Sequence, residues 1–252
     1  IRDRLRSRGL GDVYKRQLGE NPKSYYTERD DAPQTRMATA ALIREALEKA
    51  RRYMVLTERA EEPEDLPDYD IKCEALIPLL KGEVKAHIHC HRADDIMTAL
   101  RICKEFGLKP LLIHCTEGHL IADLLGEAHA EAVVGPIICD RGKPELAHAS
   151  LENAGKLCAA GVKTAICTDH PETPINFLTA GAAYCCKYGM PKNEALKGLT
   201  ITAAELGGFA DRTGSVTVGK DADLILLDGD PFEIMTNVCM TMINGKIVLE
   251  RK

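Results

Sequence analysis

Short apolar runs alternate with longer amphipathic stretches over most of the chain. Apolar runs bounded by turn-forming residues indicate buried strands, and they predict strands at 84–91, 110–114, 132–134 and 162–167. Apolar residues at helical spacing predict helices at 35–53, 71–80, 93–106, 119–126, 151–160, 175–187 and 192–199. A succession of strand-then-helix units is typical of a parallel sheet with crossover helices.

Polar residues collect at the C-terminal ends of several predicted strands, which is where barrel enzymes hold their chemistry. The expected fold class is therefore α/β, as the C-terminal half of a TIM-like (β/α)8 barrel over residues 18–212. From residue 214 the pattern changes to strands at 216–218, 223–227, 238–243 and 246–249, with a hairpin turn at Asn244-Gly245. Residues 213–252 are expected to form the C-terminal part of a small β-sandwich appendage.

The first 17 residues are expected not to be native. Residues 7–17 read SRGLGDVYKRQ, which is the in-frame translation of a transposon-end sequencing adapter. A match of this length is too long for chance, so residues 1–17 are excluded from fold prediction in the same way as a fusion scar. We expect the native sequence to begin near Leu18, inside a longer gene, and the chain to be an N-terminally truncated fragment.

Composition narrows the classes of function. The net charge is −5 over 252 residues and basic residues are outnumbered by acidic ones, which argues against nucleic acid as a partner. No apolar run approaches the roughly 20 residues that cross a bilayer, so no membrane partner is expected. The ten cysteines are scattered through apolar segments and form no C-x-x-C pair, which predicts reduced, mostly buried thiols in the cytoplasm.

Histidines and one aspartate stand at the ends of three predicted strands. His87, His89 and His91 share one face of their strand because side chains alternate with period two. His114 ends the next strand, and Asp169 follows the last one. Imidazoles and a carboxylate on one rim suit a Zn²⁺-like ion with an open position. The alternatives are a solvated strand face for the three histidines, a core position for His114 and a helix cap for Asp169.

Several segments resemble the amidohydrolase superfamily, and within it the imidazolonepropionase-like branch. The matching segments are LGENPK at 18–23, TRM at 35–37, HCHRADDI at 89–96, IHCTEG at 113–118, GP at 135–136, TDHP at 168–171 and GSVTVGKDADL at 214–224. The resemblance covers nearly all of 18–252. It implies a metallo-hydrolase barrel.

The resemblance also implies roles for individual residues. His89 corresponds to the metal ligand of the fifth barrel strand, and His114 to that of the sixth. Asp169 corresponds to the aspartate of the eighth strand, which binds metal and shuttles a proton as the catalytic residue. Glu20 falls where family members often carry a bridging carboxylate. The first-strand H-x-H pair, which supplies two further ligands, has no counterpart here.

Four more residues are expected to face the substrate or to support the ligands. They are His91, Arg92, Glu117 and His170. His91 is also a rival metal ligand, and Glu117 is equally interpreted as a cap or first-turn residue of the following helix.

The expected function is hydrolysis of amide or cyclic amide C–N bonds by water that one or two divalent ions, expected to be Zn²⁺, activate. The expected partner is a small-molecule substrate, with a homo-oligomer left open. The alternatives are a deaminase of the same superfamily, an inactive fragment, and a non-catalytic metal-binding protein. Because ligands are missing, the chain as it stands is expected to be inactive.

Overall fold

The computed structural model describes residues 15–251, with side chains from residue 16 onward. The chain divides into two compact units. The amino unit comprises residues 15–115 and 143–147 of the described chain. The carboxyl unit comprises residues 116–142 and 148–251. None of the helices in this described part is both long and apolar enough to cross a membrane.

The amino unit is built from three parallel strands with helices around them. Its strands are β1 (Lys15–Gln17), β2 (Ala86–Cys90) and β3 (Pro110–His114), hydrogen-bonded in that order. Its helices are α1 (Glu20–Thr27), α2 (Arg36–Arg59), α3 (Ile71–Glu74), α4 (Ile77–Leu80) and α5 (Ala93–Phe106). Short 3-10 turns lie at Pro63–Asp65 and Pro144–Leu146.

Apolar side chains hold β2, β3 and α5 together. Ile88, Leu111 and Leu112 are buried, as expected for parallel strands that are covered on both faces. The buried residues of α5 include Ile96, Ala99, Ile102 and Cys103, which recur at helical spacing and form one stripe. Gly107 ends this helix with φ 68, a left-handed conformation that favours glycine.

Strand β1 consists of residues that the sequence analysis excluded. Lys15 pairs with His87, Arg16 with Ile88 and Gln17 with His89. Parallel pairing is made by backbone N–H and C=O groups, which every non-proline residue carries. The pairing therefore needs no particular side chains, and the origin of residues 1–17 stays a prediction.

The carboxyl unit continues the alternation of strands and helices. Its parallel strands are β4 (Glu131–Val134) and β5 (Lys163–Ile166), which pair with each other. Its helices are α6 (Ala122–Glu127), α7 (Asn153–Ala159), α8 (Leu178–Lys187), α9 (Lys192–Leu199) and α10 (Ile201–Gly207). Gly135, with φ 139, follows β4 so closely against β5 that a Cβ there would lie 2.0 Å from the carbonyl oxygen of Cys167.

A three-stranded antiparallel sheet closes the chain. It consists of β6 (Leu224–Leu227), β7 (Val238–Ile243) and β8 (Lys246–Glu250), in that order. Asn244 and Gly245 join β7 to β8 with φ values of 48 and 76, as the predicted hairpin turn requires. Parallel strands with helices and a separate antiparallel sheet confirm the α/β class with an all-β appendage. The boundary at 212/213 stays a prediction.

Several predicted elements are corrected by the structure. The strand expected at 216–218 is absent: Val216 and Val218 are exposed, and Lys220 N–H bonds the carbonyl of Thr217 in a turn. The single helix expected at 71–80 is broken into α3 and α4, because Pro78 lacks the N–H that a continuous helix needs. Helix α2 extends to Arg59 rather than residue 53. Helices α1 and α10 were not predicted.

The cysteines follow the prediction in part. No two of the chain's cysteines form a disulfide in the described structure. Cys73, Cys90, Cys103, Cys115 and Cys185 are buried, whereas four others are half-buried and Cys139 is exposed. The prediction of mostly buried thiols therefore holds for half of them.

Candidate metal centre

Two adjacent strands of the amino unit bring three histidines together. His89 lies in β2, His91 follows its end directly, and His114 is the last residue of β3. The register places Cys90 opposite His114, so both strands end at the same level. His89 and His91 point to one side of β2 because successive side chains alternate. Parallel pairing therefore carries the histidines of both strands to one edge.

The three imidazoles form a compact cluster. One ring nitrogen from each lies within 4.8 Å of those from the other two. The ring centroids of His89 and His114 are 4.3 Å apart, those of His89 and His91 are 4.7 Å apart, and those of His91 and His114 are 4.8 Å apart. All three side chains are buried. Zinc–nitrogen bonds of about 2.0–2.1 Å place two ligand nitrogens about 3–4 Å apart, so this set of donors suits a divalent ion in kind and would contract slightly around it.

Burial keeps His91 in the form that binds metal. Desolvation, followed by the neighbouring charges of His114 and Lys143, lowers the pKa of His91 to about 3. Its ring is therefore neutral at pH 7, and a neutral imidazole is the form that ligates a metal. His87 is not a member of the cluster, although the alternation pattern placed it on the same face.

His89 also contacts β1. The Nε2 atoms of Gln17 and His89 are 3.4 Å apart. This contact joins the paired strands β1 and β2.

A buried carboxylate that the sequence analysis missed lies beside the cluster. Glu145 is 0% exposed, and its Oε1 atom lies 3.8 Å from Nε2 of His91. Its Oε2 atom accepts a 2.8 Å hydrogen bond from the backbone N–H of Glu20. Burial raises the pKa of the Glu145 carboxyl. The segment KPEL at 143–146 reads as the start of a polar turn, so no local signal marked this residue.

Two predicted residues of the amino unit have other ionic partners. The Glu20 carboxylate pairs with Lys23 and Arg36, each at 2.7 Å, and it is not in the histidine cluster. Lys23 and Arg36 lower the pKa of Glu20 despite its partial burial. The Arg92 guanidinium pairs with Asp94, with Nε 3.0 Å from Oδ1. The bridging role of Glu20 and the substrate role of Arg92 stay predictions.

The remaining predicted residues lie in the carboxyl unit. Asp169 follows the end of β5 with φ 52, and the exposed His170 is next in the chain. Glu117 is buried, and its Oε1 accepts a 2.8 Å hydrogen bond from Nδ1 of His148. Glu117 occupies the N-cap position of the following 3-10 turn, Gly118–Leu120, as the alternative interpretation expected, although its side chain makes no cap hydrogen bond there. The meeting of Asp169 with His89 and His114 stays a prediction.

The fold and the cluster define a class: an α/β protein whose parallel strands end in a buried set of imidazoles suited to a divalent metal. Comparison with known proteins gives the family. The sequence model described as "Amidohydrolase family" matches residues 31–248. The chain belongs to the amidohydrolase family, as its motifs predicted.

Individual relatives support the same family. The crystal structure of an amidohydrolase from Thermotoga maritima matches with 39% identity and a TM-score of 0.88, over 94% of this chain and 62% of that one. The amidohydrolase tasK of Hapsidospora irregularis is 28% identical over 92% of this chain and 25% of its own length. An imidazolonepropionase of Shouchella clausii is 30% identical over 58% of this chain and 39% of its own. The predicted resemblance to the imidazolonepropionase-like branch is confirmed, and the chain spans only part of each relative.

Proposed function

We propose that this chain is part of a hydrolase that cleaves amide or cyclic amide C–N bonds and depends on a divalent metal, Zn²⁺ being the expected ion. The observation that carries the proposal is the buried cluster of His89, His91 and His114 at the ends of two parallel strands. The family and the hydrolases among the relatives support the reaction class. Because the chain spans a quarter of tasK and 62% of the Thermotoga protein, the activity of the whole protein is part of the proposal.

His89 and His114 are proposed as metal ligands. Both are buried and both belong to hydrogen-bonded strands, so their positions are fixed before any ion binds. A bound divalent ion of this kind supplies Lewis acidity, which activates water and polarises the scissile carbonyl. Three imidazole nitrogens match the preference of zinc for nitrogen donors better than that of magnesium or calcium, which prefer oxygen.

Asp169 is proposed to hold and return the proton of the reaction. Its carboxylate would accept a proton from the attacking water and donate it to the leaving nitrogen, as a positioned acid–base group does. The support is its place three residues after the end of β5, a parallel strand, and the match of TDHP at 168–171 to the family pattern.

The first test measures metal in the purified chain. We expect the chain, after loading with Zn²⁺ and dialysis, to retain about one equivalent by elemental analysis, since four-coordinate zinc sites hold one ion. The His89→Ala variant should lose it, whereas His129→Ala, which removes an exposed histidine, should not. A wild-type chain that retains no zinc would end the proposal.

The second test measures turnover by the longest form of the protein that the source gene encodes. Amide and cyclic amide substrates should be opened to a carboxylate and an amine, with activity lost to a chelator and restored by Zn²⁺. Release of ammonia from an amino-substituted ring, without opening of an amide, would instead identify a deaminase.

A further inference from the structure

The Glu145 side chain is fully buried, although few neighbouring groups compensate its carboxylate. It is 0% exposed, and only its Oε2 atom has a hydrogen bond, from the N–H of Glu20. Its Oε1 atom has no hydrogen-bond partner in the described structure and is directed toward Nε2 of His91 at 3.8 Å. Burying a carboxylate is costly unless a donor or a cation compensates it.

The backbone conformation around Glu145 restricts the position of its side chain. Pro144 begins the 3-10 turn that carries Glu145, and proline restricts the chain to one value of φ. Across from it, Gly19 has φ 97, and a Cβ at that position would lie 2.5 Å from Oε2 of Glu145. A glycine is therefore needed where the segment before α1 meets the carboxylate. Two segments distant in sequence thus fix the position of one side chain.

The charges near Glu145 do not account for its burial. Two of them, on Glu20 and Asp95, are negative and disfavour a further carboxylate, while Lys143 is positive. Asp95 is already paired with Arg36 at 3.0 Å, and Glu20 with Lys23 and Arg36. The group that faces the open oxygen of Glu145 is His91, a member of the histidine cluster.

We propose that Glu145 is a positioning residue that accepts a hydrogen bond from Nε2–H of His91 and so fixes the ring orientation and tautomer of this histidine in the metal centre. The inference rests on the proposed function. Metal-ligating histidines almost always donate their second ring N–H to a carboxylate, a carbonyl or water. The separation of 3.8 Å is longer than a charge-assisted hydrogen bond of about 2.8 Å, so the proposal requires the two side chains to approach each other when the ion binds. With Nε2 engaged by Glu145, His91 would hold the ion through its other ring nitrogen, together with His89 and His114.

The test compares Glu145→Gln with a matched control on the same unit. Glutamine keeps the shape and the acceptor for Glu20 N–H, but it lacks the charge. Glu105→Gln makes the same change at an exposed carboxylate, which pairs with Arg44. We expect Glu145→Gln to weaken zinc binding 10- to 100-fold in a chelator competition and to change the visible spectrum of the Co²⁺-loaded chain. The Glu105→Gln chain should match the wild type in both measurements.

Two further measurements separate positioning from folding. In a His91→Ala background, Glu145→Gln should cause no additional loss of zinc affinity, because Glu145 acts through His91. In the zinc-loaded wild type, ¹H–¹⁵N spectra should show a proton on Nε2 of His91; this measurement needs no variant and remains decisive if Glu145→Gln fails to fold.

The outcomes distinguish the two proposals. If the wild type binds zinc and Glu145→Gln binds it equally well, or if Nε2 of His91 carries no proton, the role of Glu145 is refuted and the proposed function stands. If the wild-type chain binds no zinc, both proposals fall.

Discussion

Removing the guanidinium of Arg36 tests how the amino unit holds its buried charges. Arg36 is the first residue of α2, and its Nε donates to Oδ2 of Asp95 at 3.0 Å while Nη2 donates to Oε1 of Glu20 at 2.7 Å. The Asp95 side chain is 3% exposed and that of Arg36 is 26% exposed. The Arg36→Met variant keeps an apolar stem of similar length and leaves Asp95 without its nearest cation.

The expected loss follows from the burial of Asp95. Breaking a fully buried ion pair costs about 3–5 kcal/mol, and a hydrogen bond to a charged group contributes about 1.5–3 kcal/mol. The Arg36 side chain is 26% exposed, which reduces the cost of breaking the ion pair. Glu20 retains Lys23 at 2.7 Å and adds little. We expect Arg36→Met to lower the free energy of unfolding by about 2–3 kcal/mol at pH 7.

The loss should depend on pH in a defined direction. Burial raises the pKa of Asp95, and Arg36 opposes that rise. A carboxyl whose pKa is raised by folding contributes its full stability below its unfolded pKa of about 4 and loses it as pH rises through the folded pKa. Without Arg36 the pKa of Asp95 rises further. The difference between wild type and Arg36→Met should therefore be small near pH 4 and should grow toward neutral pH.

Urea unfolding followed by far-UV circular dichroism measures this difference. Arg44→Met is the matched control, because Arg44 lies on the same helix and pairs with the exposed Glu105 at 2.6 Å. Exposed pairs contribute about 0–1 kcal/mol. The reasoning is refuted if Arg36→Met costs no more than Arg44→Met, or if it costs as much in an Asp95→Asn background as in the wild type.

Two further predictions concern single backbone positions. Thr35 caps α2 by accepting a 3.1 Å hydrogen bond from the N–H of Ala38, so Thr35→Ala should cost about 1 kcal/mol in urea unfolding. Thr57→Ala, inside the same helix, should cost less, and equal losses would contradict the capping role. His114 has φ 71, a conformation that costs residues with a Cβ about 1–2 kcal/mol, so His114→Gly should be more stable than His114→Ala. At His87, inside β2, the alanine variant should be more stable than the glycine variant, because glycine costs about 0.5–1 kcal/mol in a strand. If alanine is the more stable substitution at both positions, backbone strain at His114 is excluded.

The elements predicted best are those whose local signals agree with their packing. Strand β3 and helix α5 have the predicted bounds, Pro110–His114 and Ala93–Phe106. Strand β3 is an apolar run that is buried on both faces, and α5 has an apolar stripe that ends at Gly107. In both, the tertiary packing agrees with the local sequence pattern. The elements that were predicted wrongly lacked this agreement between local pattern and packing. Val216 and Val218 have the composition of a strand, but they are exposed and pack on no neighbour.

The residues of the candidate site also differ in how well the sequence predicts them. His89 and His114 were predictable because strand alternation and parallel register place side chains without knowledge of the tertiary structure. Glu145 was not, since its burial depends on Gly19 and on His91, which are 126 and 54 residues away in the sequence. A polar turn such as KPEL is normally solvated, and only long-range contacts turn its glutamate inward. Residues that support a site are therefore harder to predict than residues that form it.

The backbone has the same uncommon conformation at two residues of the predicted site. His114 ends β3 with φ 71, and Asp169 follows β5 with φ 52. Non-glycine residues with positive φ are uncommon, and strained residues of this kind cluster at active sites because the surrounding structure must hold them there. In each case the chain turns at or just after the carboxyl end of a parallel strand. Asp30, His129 and Asn244 have the same conformation in turns elsewhere in the chain. A positive φ therefore marks a change of chain direction, and the metal-binding and turnover tests are what decide the proposed roles of His114 and Asp169.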